Sequence, residues 1–250
     1  IPAGGLRANV RQLMINHELR CIYVHIPKTA GNSVNRVFGV SWSDHQDLAK
    51  HATELPPAVF DRYLKFAIVR NPWDRLFSDY NYQLKKSRPA VSKLFLHDRV
   101  GAVRGFSDWV RATLADPHRY SPRDWGGDVS PGLHRWSPQV DWISIDGRNR
   151  LDGVLGMENL RADFARLCVR LGRPPVRLPR RNRRLHWHYS WYYDDETREF
   201  VRAYYARDIA AFGYRFETSP LRSAWLRVQS LFAPIEPDLR TIPGQKPIAE

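Results

Sequence analysis

The sequence predicts an α/β fold in which a central parallel sheet is flanked by helices. Two apolar runs, residues 21–24 and 66–69, are each followed by a turn and by a segment with helical spacing. The second run is too apolar to alternate, which is typical of a strand buried in a parallel sheet. With 250 residues, the chain can also bury a large core without metal or disulfide staples. We therefore expect one main domain built on this sheet.

The first strand ends in the turn HIPKTAGNS, residues 25–33, and helical spacing follows. A tight turn between a strand and a helix collects backbone N–H groups at the positive end of the helix dipole, where anions bind. Lys28 adds a cation, and Gly31 lets the backbone come close to a ligand. Thr29 and Ser33 add hydroxyl donors. The implied ligand is a phosphate or a sulfate.

This turn differs from the usual nucleotide-triphosphate loop. That pattern, G-x-x-x-x-G-K-[ST], is absent because Lys28 precedes the only glycine of the turn. The same spacing, together with the lack of an evident acidic strand end for Mg²⁺, disfavours a P-loop kinase. Taken alone, the turn is also consistent with a simple strand-to-helix connection, so the interpretation depends on a second segment.

The second segment is KFAIVRNPWDRLFSDYNYQL at residues 65–84, where a strand is again followed by a helix. Asn71 suits a helix N-cap, and Pro72 is preorganised for the first helical position. Four apolar side chains recur at helical spacing and are predicted to form the packing face of this helix: Trp73, Leu76, Phe77 and Tyr80.

Two polar side chains of this segment are candidates for a second anion contact. Arg70 lies where the strand ends, and Ser78 follows inside the helix. Both are expected at the carboxyl edge of the sheet, where open α/β sheets bind ligands. The alternatives are a structural ion pair between Arg70 and Asp74 and a solvated Ser78. Two anion-ready turns in one sheet favour a binding site.

The remaining elements are predicted from local signals. A loop that carries His45 and His51 joins the two strand–turn–helix units. Residues 85–150 are expected to be an irregular, functional insertion on the rigid scaffold. The later elements predicted from spacing and from Pro174 as a helix stop are a helix at 106–114, a strand at 151–155, and helices at 160–171 and 194–212.

The pattern changes near the end of the chain, so the main domain is predicted to span residues 1–217. Within 218–250, residues 220–232 have apolar side chains on one face and arginines on the other, as in an amphipathic basic helix. We expect this helix to pack on the domain or in a homodimer, or to make a peripheral membrane contact. A proline-rich arm follows it.

The two turns resemble motifs of one known family. HIPKTAGNS resembles the loop of sulfotransferases that binds the 5′-phosphosulfate of 3′-phosphoadenosine 5′-phosphosulfate (PAPS), and VRNPWDRLFSDY resembles that family's 3′-phosphate segment. The similarity is strongest to bacterial-type carbohydrate O-sulfotransferases related to the heparan sulfate 2-O-sulfotransferase group. It implies a P-loop-like sulfotransferase fold with a catalytic core at about 20–217. Three further segments carry the resemblance: KHAT at 50–53, GMENL at 156–160, and residues 182–216.

The resemblance implies a role for each matching residue. Lys28 would contact the bridging oxygen of PAPS and neutralise charge as the nucleotide leaves. Arg70 and Ser78 would hold the 3′-phosphate, which separates PAPS from ordinary adenine nucleotides. Residues 180–189 align with a loop that closes over the donor, and Arg184 is a candidate anion contact there. The 5′-phosphate would be held largely by backbone N–H groups of Thr29, Ala30, Gly31, Asn32 and Ser33.

Sulfuryl transfer to a hydroxyl also needs a general base, because a hydroxyl is a poor nucleophile. Histidine is the usual candidate near neutral pH. His51 is our prediction, since its place in KHAT resembles that of the family's base. His45 is the alternative, and a carboxylate base such as Glu54 stays open.

The net charge and the motifs of the chain limit which partners and cofactors are expected. The formal net charge of +13 favours an acidic carbohydrate acceptor, although a generally basic surface, a small-molecule acceptor or a lipid-linked acceptor also fits. Nucleic-acid binding is disfavoured because no recognisable nucleic-acid-binding motif occurs. PAPS is the expected donor, with adenosine 3′,5′-bisphosphate (PAP) as product. No metal is expected, since no acidic or cysteine ligand completes a set with His186 and His188.

Cysteine usage favours a reducing, bacterial-cytoplasm-like setting. Cys21 and Cys168 both lie in apolar contexts, where each is better interpreted as a small buried hydrophobic residue than as half of a disulfide. No N-x-[ST] sequon and no long apolar run is present. Because the sequence begins at Ile1, a preceding leader or anchor stays an open alternative.

Overall fold

A computed structural model of the protein describes five stretches of the chain: 15–38, 44–87, 99–120, 127–179 and 188–217. The strands are β1 (Ile15–Asn16), β2 (Cys21–Val24), β3 (Leu64–Val69), β4 (Ser144–Ile145), β5 (Arg148–Asn149) and β6 (Gly153–Gly156). The helices are α1 (Gly31–Val37), α2 (Leu48–Glu54), α3 (Pro57–Arg62), α4 (Pro72–Ser87), α5 (Arg99–Ala115), α6 (Pro117–Tyr120), α7 (Gln139–Trp142), α8 (Leu160–Arg170), α9 (Asp195–Tyr204) and α10 (Ala206–Phe212).

The sheet has the order β1-β2-β3-β6, and two of its three pairings confirm the predicted parallel architecture. Strands β2, β3 and β6 run parallel, whereas β1 pairs antiparallel with β2 at one edge. The register pairs Val24 with Ala67 and Val69 with Gly156. The carboxyl ends of β2, β3 and β6 therefore meet at one edge, which brings the turns after β2 and β3 together.

Both faces of the sheet are covered, which explains why residues 21–24 of β2 and 66–69 of β3 are apolar throughout. Alternate residues of each strand belong to two separate core clusters. One cluster joins Tyr23, Phe66, Ile68 and Leu155 to α1 and α8 through Val34, Phe164 and Leu167. The other joins Ile22, Val24, Ala67 and Val69 to α2, α3 and α7 through Leu48, Phe60 and Trp142.

Helix α4 begins as its sequence predicts. The Asn71 side chain accepts a hydrogen bond from the N–H of Trp73 at 3.2 Å, and Pro72 is the first helical residue. The predicted packing face is confirmed, because all four of its apolar side chains are buried in a third cluster with α5 and α9. Its members on α4 are Trp73, Leu76, Phe77 and Tyr80.

Two predicted elements differ from the structure for local reasons. His51 lies in α2 and not in a loop, because Asp47 caps that helix by accepting a hydrogen bond from the N–H of Lys50. The insertion is also less irregular than predicted, since α5 covers Arg99–Ala115. Only the stretch 106–114 shows its helical spacing in the sequence, because two glycines lie in the preceding turns.

The helix predicted over 194–212 is two helices that break at Tyr205. Its backbone leaves helical values, with φ −101° and ψ 26°, and its hydroxyl donates to the carbonyl of Trp136 at 2.7 Å. Asp194 caps α9 by accepting from the N–H of Thr197, and α10 ends at Gly213 with φ 68°. The break follows from a contact with a distant segment.

Both cysteines are buried and free, as predicted. No helix in the described stretches is long and apolar enough to cross a membrane. The predicted helix at 220–232, the proline-rich arm and Arg184 lie outside the described residues.

Candidate active site

The turn between β2 and α1 has a backbone suited to anion binding. Lys28 and Ala30 both adopt the left-handed region, with φ of 70° and 67°. A left-handed residue followed by a helical one points successive N–H groups to one side, which forms an anion-binding nest. Helix α1 has no side-chain cap. Within the described stretches, the N–H groups of Ala30, Gly31 and Asn32 have no acceptor.

Gly31 is required here by a neighbouring side chain. A Cβ at this position would lie 1.7 Å from Nε2 of His25. The His25 ring therefore packs directly on the Gly31 backbone, and any side chain at position 31 would displace it. The sequence indicated Gly31 for close approach of a ligand, but it did not show the contact with His25.

The hydroxyl groups of the turn stabilise it internally. The Thr29 hydroxyl donates to the carbonyl of Ile26 at 2.8 Å, and the Thr29 carbonyl accepts from the Tyr23 hydroxyl at 3.2 Å. The Ser33 hydroxyl donates to the carbonyl of Pro179 at 2.8 Å. These hydroxyls are engaged by the protein, so the backbone N–H groups are the donors that the turn presents.

Arg70 reaches the same turn from the end of β3. Its Nη1 donates to the carbonyl of Lys28 at 3.2 Å. Its Nε and Nη2 each lie 2.9 Å from Oδ2 of Asp74, so the alternative ion pair is also present. Ser78 is partly exposed one helical turn after Asp74 and thus lies on the same stripe of α4. The structure brings Arg70 and Lys28 together.

The backbone at the end of β3 is held by two side chains from later in the chain, Gln139 and Glu158. Gln139 accepts a hydrogen bond from the Arg70 N–H at 2.9 Å and donates one to the Arg70 carbonyl at 2.8 Å. Gln139 also donates to Asp208 of α10. The N–H of Asn71 donates to Glu158 at 2.8 Å. Glu158 therefore anchors the end of β3, which is a structural role for the GMENL segment.

Arg75 is a buried clamp that the sequence did not single out. Its guanidinium donates to the carbonyls of Pro27, Ser137 and Arg135 at 3.2, 3.0 and 2.8 Å. The Arg75 side chain thereby connects the turn between β2 and α1 to the segment before α7. The interacting carbonyls lie about 50 to 60 residues away along the chain, so no local pattern indicates this role.

Beside this clamp lies a buried ion pair. Asp79 accepts two hydrogen bonds from Arg135, at 2.8 and 2.5 Å, and one from the Trp136 indole at 2.8 Å. Burial alone would raise the pKa of Asp79, but the charges of Arg135 and Lys28 and these hydrogen bonds outweigh burial and lower that pKa to about 2. The pair therefore stays ionised, and it lies within electrostatic reach of Lys28.

Lys28 has an aromatic neighbour on α4. Its ammonium nitrogen lies 4.1 Å from the centre of the Tyr82 ring, within cation–π range. Tyr82 is 41 % exposed and follows Ser78 by one helical turn. A partly exposed stripe of α4 thus runs from Asp74 through Ser78 to Tyr82, alongside the turn between β2 and α1.

His45 is the histidine that the structure places at this turn. Its Nδ1 lies 2.9 Å from the carbonyl oxygen of His25, so Nδ1 carries the proton and Nε2 is the basic nitrogen of the neutral ring. The pKa of His45 is lowered to about 4, mainly by burial; the charges of Arg135 and Lys28 act in the same direction, while the hydrogen bond to His25 and the charge of Asp79 oppose it. His45 is therefore neutral at pH 7, as a base must be.

His51 lies in a different environment. It is 1 % exposed within α2, and its Nδ1 has no hydrogen-bond partner in the part of the chain that the structure describes. Burial lowers its pKa to about 4, opposed by the charges of Asp47 and Glu54. Glu54 itself accepts from Gln46 and pairs with Lys50. Neither His51 nor Glu54 is brought to Lys28 by the contacts described here.

Comparison with known proteins agrees with this site. Residues 11–215 match a model of the sulfotransferase family, and this match includes both turns and both candidate histidines. A search of curated proteins and a search of solved structures each found no match. No group of three or more potential metal ligands occurs within the described ranges. Since the matched region covers most of the 250 residues, the chain belongs to the sulfotransferase family, whose chemistry is the transfer of a sulfuryl group.

Proposed function

We propose that the protein transfers a sulfuryl group from PAPS to a hydroxyl of a carbohydrate, with His45 as the general base. The observation that carries this proposal is the meeting of three side chains at one turn. Lys28 belongs to the turn, Arg70 donates to the Lys28 carbonyl, and His45 bonds the His25 carbonyl. A cation, a phosphate-binding arginine and a neutral histidine thus surround one anion-binding backbone.

The donor fits the residues present. The N–H groups of Ala30, Gly31 and Asn32 would hold the 5′-phosphate, since they have no acceptor within the described stretches. Arg70 and Ser78 would hold the 3′-phosphate. A guanidinium has five N–H groups, and the contacts of Arg70 with Asp74 and Lys28 involve three of them.

The protein's groups divide the chemistry between them. PAPS supplies an activated sulfuryl group on a nucleotide leaving group. The acceptor oxygen forms its bond to sulfur while the bond from sulfur to the bridging oxygen breaks, and the hydroxyl proton passes to Nε2 of His45. Lys28 stabilises the negative charge that develops on the leaving oxygen. The products are the sulfated acceptor and PAP.

His45 is favoured over His51 by its surroundings. Lys28, Arg135 and Asp79 all act on the pKa of His45, whereas Asp47 and Glu54 act on that of His51. A base must lie within hydrogen-bond reach of the proton that it removes. The assignment of His51 as the base stays a prediction, which a comparison of His45→Ala with His51→Ala decides.

The acceptor is proposed to be an acidic carbohydrate. A net charge of +13 attracts a polyanion. The segment that carries His45 also pairs with the predicted acceptor insertion, since His45 bridges Gly127 and the N–H of Asp128 donates to the His45 carbonyl at 3.0 Å. A small-molecule or lipid-linked acceptor is the second candidate. The proposed PAPS site would serve these acceptors as well as it would serve a carbohydrate.

Incubation with radiolabelled PAPS and an acceptor panel tests the proposal. The panel contains uronic-acid polysaccharides, neutral glycans and phenols, and label should enter an acidic glycan with release of PAP. Thermal-shift measurements provide an independent readout, since PAP should stabilise the protein whereas oligonucleotides of matched charge should not. Absence of label in every acceptor, together with no stabilisation by PAP, would contradict the assignment.

A further inference from the structure

We propose that His25 is a positioning residue that fixes the ring of His45 against the donor turn. This inference rests on the proposed function, since it assigns a role to His25 through the base. His25 is the first residue after β2, and the motif HIPKTAGNS contains it. No role at this position follows from the composition or the spacing of the sequence.

The two histidines hold each other through a reciprocal pair of hydrogen bonds. Nδ1 of His45 bonds the backbone carbonyl of His25 at 2.9 Å. The His25 ring in turn hydrogen-bonds the backbone of Asp44. Each segment thus gives one side-chain and one backbone group to the other. This arrangement fixes the position and the tautomer of His45 together.

The rings are also in contact in a row, in which the His25 and His45 rings are tilted by 42° and the other pairs are stacked. His25 and His45 have ring centroids 4.0 Å apart, and Tyr23 stacks on His25 at 5.5 Å. Tyr23 stacks on Phe66 of β3 at 5.0 Å. The His45 ring is therefore supported, through His25, by fully buried side chains of the central sheet. Because the His25 ring also packs on Gly31, one side chain spaces the base from the anion-binding backbone.

Four groups that face His45 set its protonation. Lys28 and Arg135 favour the neutral ring, Asp79 favours the charged ring, and the carbonyl of His25 accepts from Nδ1. Burial has the largest effect on its pKa. Loss of the His25 ring admits water beside His45, so we expect the pKa of His45 to rise toward its ordinary value of about 6.5.

Three variants at His25 test this role. His25→Phe keeps a ring but loses the bond to Asp44, whereas His25→Asn and His25→Gln restore an amide donor without a ring. His17→Phe is the matched control, because His17 also contacts a tyrosine ring and bonds its hydroxyl, at Tyr63. His17 directly follows β1, which is an edge strand of the sheet.

We expect His25→Phe to lower kcat about 10- to 100-fold, as for a misplaced catalytic group, with PAP affinity within about twofold of wild type. The acidic limb of the pH profile should move to higher pH in the amide variants, which lack the ring, and one of these variants should recover part of the kcat that His25→Phe loses. The double variant His25→Phe/His45→Ala should be no slower than His45→Ala alone, because His25 acts through His45. His17→Phe should change neither kcat nor the pH profile.

Nitrogen NMR of the histidine rings makes the test independent of activity. The wild-type protein should show Nδ1–H at His45. His25→Phe keeps the backbone carbonyl but loses the ring's bond to Asp44 that holds the two segments together, so it should show a mixture of tautomers. Additive loss in the double variant, an unmoved pH profile, or Nε2–H at His45 in the wild type would overturn the role of His25. A wild type with the expected tautomer but no transfer to any acceptor would instead contradict the proposed function.

Discussion

Lys28 is held in a left-handed backbone conformation that costs a non-glycine residue about 1–2 kcal/mol. The surrounding contacts maintain it, since Arg70 bonds its carbonyl and the Tyr82 ring lies under its ammonium group. Strain of this kind persists where the structure over-determines a functional geometry. The side chain is therefore presented at a fixed point beside the nest of N–H groups.

Replacing either cation of the donor site should remove activity and leave the fold intact. We expect Lys28→Ala and Arg70→Ala each to lower kcat/KM by about 10²- to 10³-fold. Lys28→Ala removes the positive charge beside the developing negative charge, and Arg70→Ala removes a charged hydrogen-bond donor to the 3′-phosphate. Steady-state kinetics and thermal unfolding measure both effects. The control is Tyr82→Phe, which keeps the ring under Lys28. Near-normal activity in both alanine variants would exclude the donor site.

Paired alanine variants identify the base. His45→Ala should abolish transfer and preserve PAP binding, since the residue acts on the acceptor proton and not on the nucleotide. His51→Ala should retain transfer and change mainly the stability of α2, where the ring is buried. Single-turnover rates with PAP-binding isotherms separate these outcomes. Loss of transfer only in His51→Ala would return the role to His51.

Single residues were predictable where the motif is contiguous. Lys28 and Gly31 lie in one turn, and Arg70 directly follows a strand, so local spacing indicates all three. Arg135 and Asp79 are 56 residues apart in sequence, and only the folded chain joins them. His25 was within a motif, but its contact with His45 depends on a return of the chain that no local pattern encodes.

At the scale of elements, the end of β3 is fixed by helices that come later in the chain. Helix α10 contributes Asp208, which is fully buried and accepts from the N–H groups of Gln139 and Val140 and from the Gln139 side chain. Gln139 then brackets the backbone of Arg70. The Asp208 carboxylate of α10 thus holds, through Gln139, the backbone of Arg70, the proposed contact for the 3′-phosphate of PAPS.

Asp208→Asn should destabilise the protein and weaken donor binding together. An amide offers one acceptor oxygen where the carboxylate accepts three N–H groups, and a buried N–H without an acceptor costs about 1–3 kcal/mol. Urea unfolding and PAP titration measure the two effects. Asp141→Asn is the control, because Asp141 pairs with an exposed Arg207 and should change the free energy of unfolding by less than about 1 kcal/mol. Equal losses of unfolding free energy and of PAP affinity in Asp208→Asn and Asp141→Asn would contradict the role of Asp208 in holding the end of β3.

Element types were predictable and their ends were not. The apolar runs and the Asn71-Pro72 start depend on neighbours in sequence, and the structure confirms β2, β3 and α4. The break at Tyr205 depends on a bond to Trp136, and the cap of α2 at Asp47 was hidden by the polar composition around it. The break at Tyr205 is thus accompanied by a contact distant in sequence that local spacing does not show.

At the scale of the whole molecule, burial of several histidines makes stability depend on pH. The pKa values of His45, His51 and His134 are each lowered to about 4 by burial, with charges adding to or opposing this, and that of His25 lies well below its ordinary value. Between about pH 6.5 and 4 the unfolded chain therefore binds more protons than the folded one. Stability rises with pH across this window and is lost as pH falls through it.

Unfolding free energies should fall steeply between about pH 6.5 and 4. A shift of one pKa unit corresponds to about 1.4 kcal/mol, so an isolated buried histidine contributes on the order of 3 kcal/mol to this dependence. Urea unfolding at several pH values measures the slope. His51→Leu should reduce it, because His51 has no basic or histidine neighbour among the charges that act on its pKa. An unchanged slope would show that the pKa of His51 is the same in the folded and the unfolded chain.

Salt should distinguish acidic acceptors from neutral ones. The attraction of a polyanion to a chain of net charge +13 is screened as ionic strength rises. KM for an acidic glycan should increase several-fold between about 0.05 and 0.3 M NaCl, whereas KM for a neutral acceptor should stay nearly constant. Initial rates at saturating donor measure this, and a KM for acidic glycans that is independent of salt would contradict electrostatic recognition of the acceptor.

The packing of the His25 ring on Gly31 has a consequence for how this chain can vary. The two positions share a single volume, so a library randomised at both should return variants in which only one of them carries a side chain beyond Cβ. A methyl group at position 31 becomes tolerable when position 25 is reduced to glycine or alanine. These two sites should therefore change size as a linked pair, with position 31 confined to glycine as long as His25 is present.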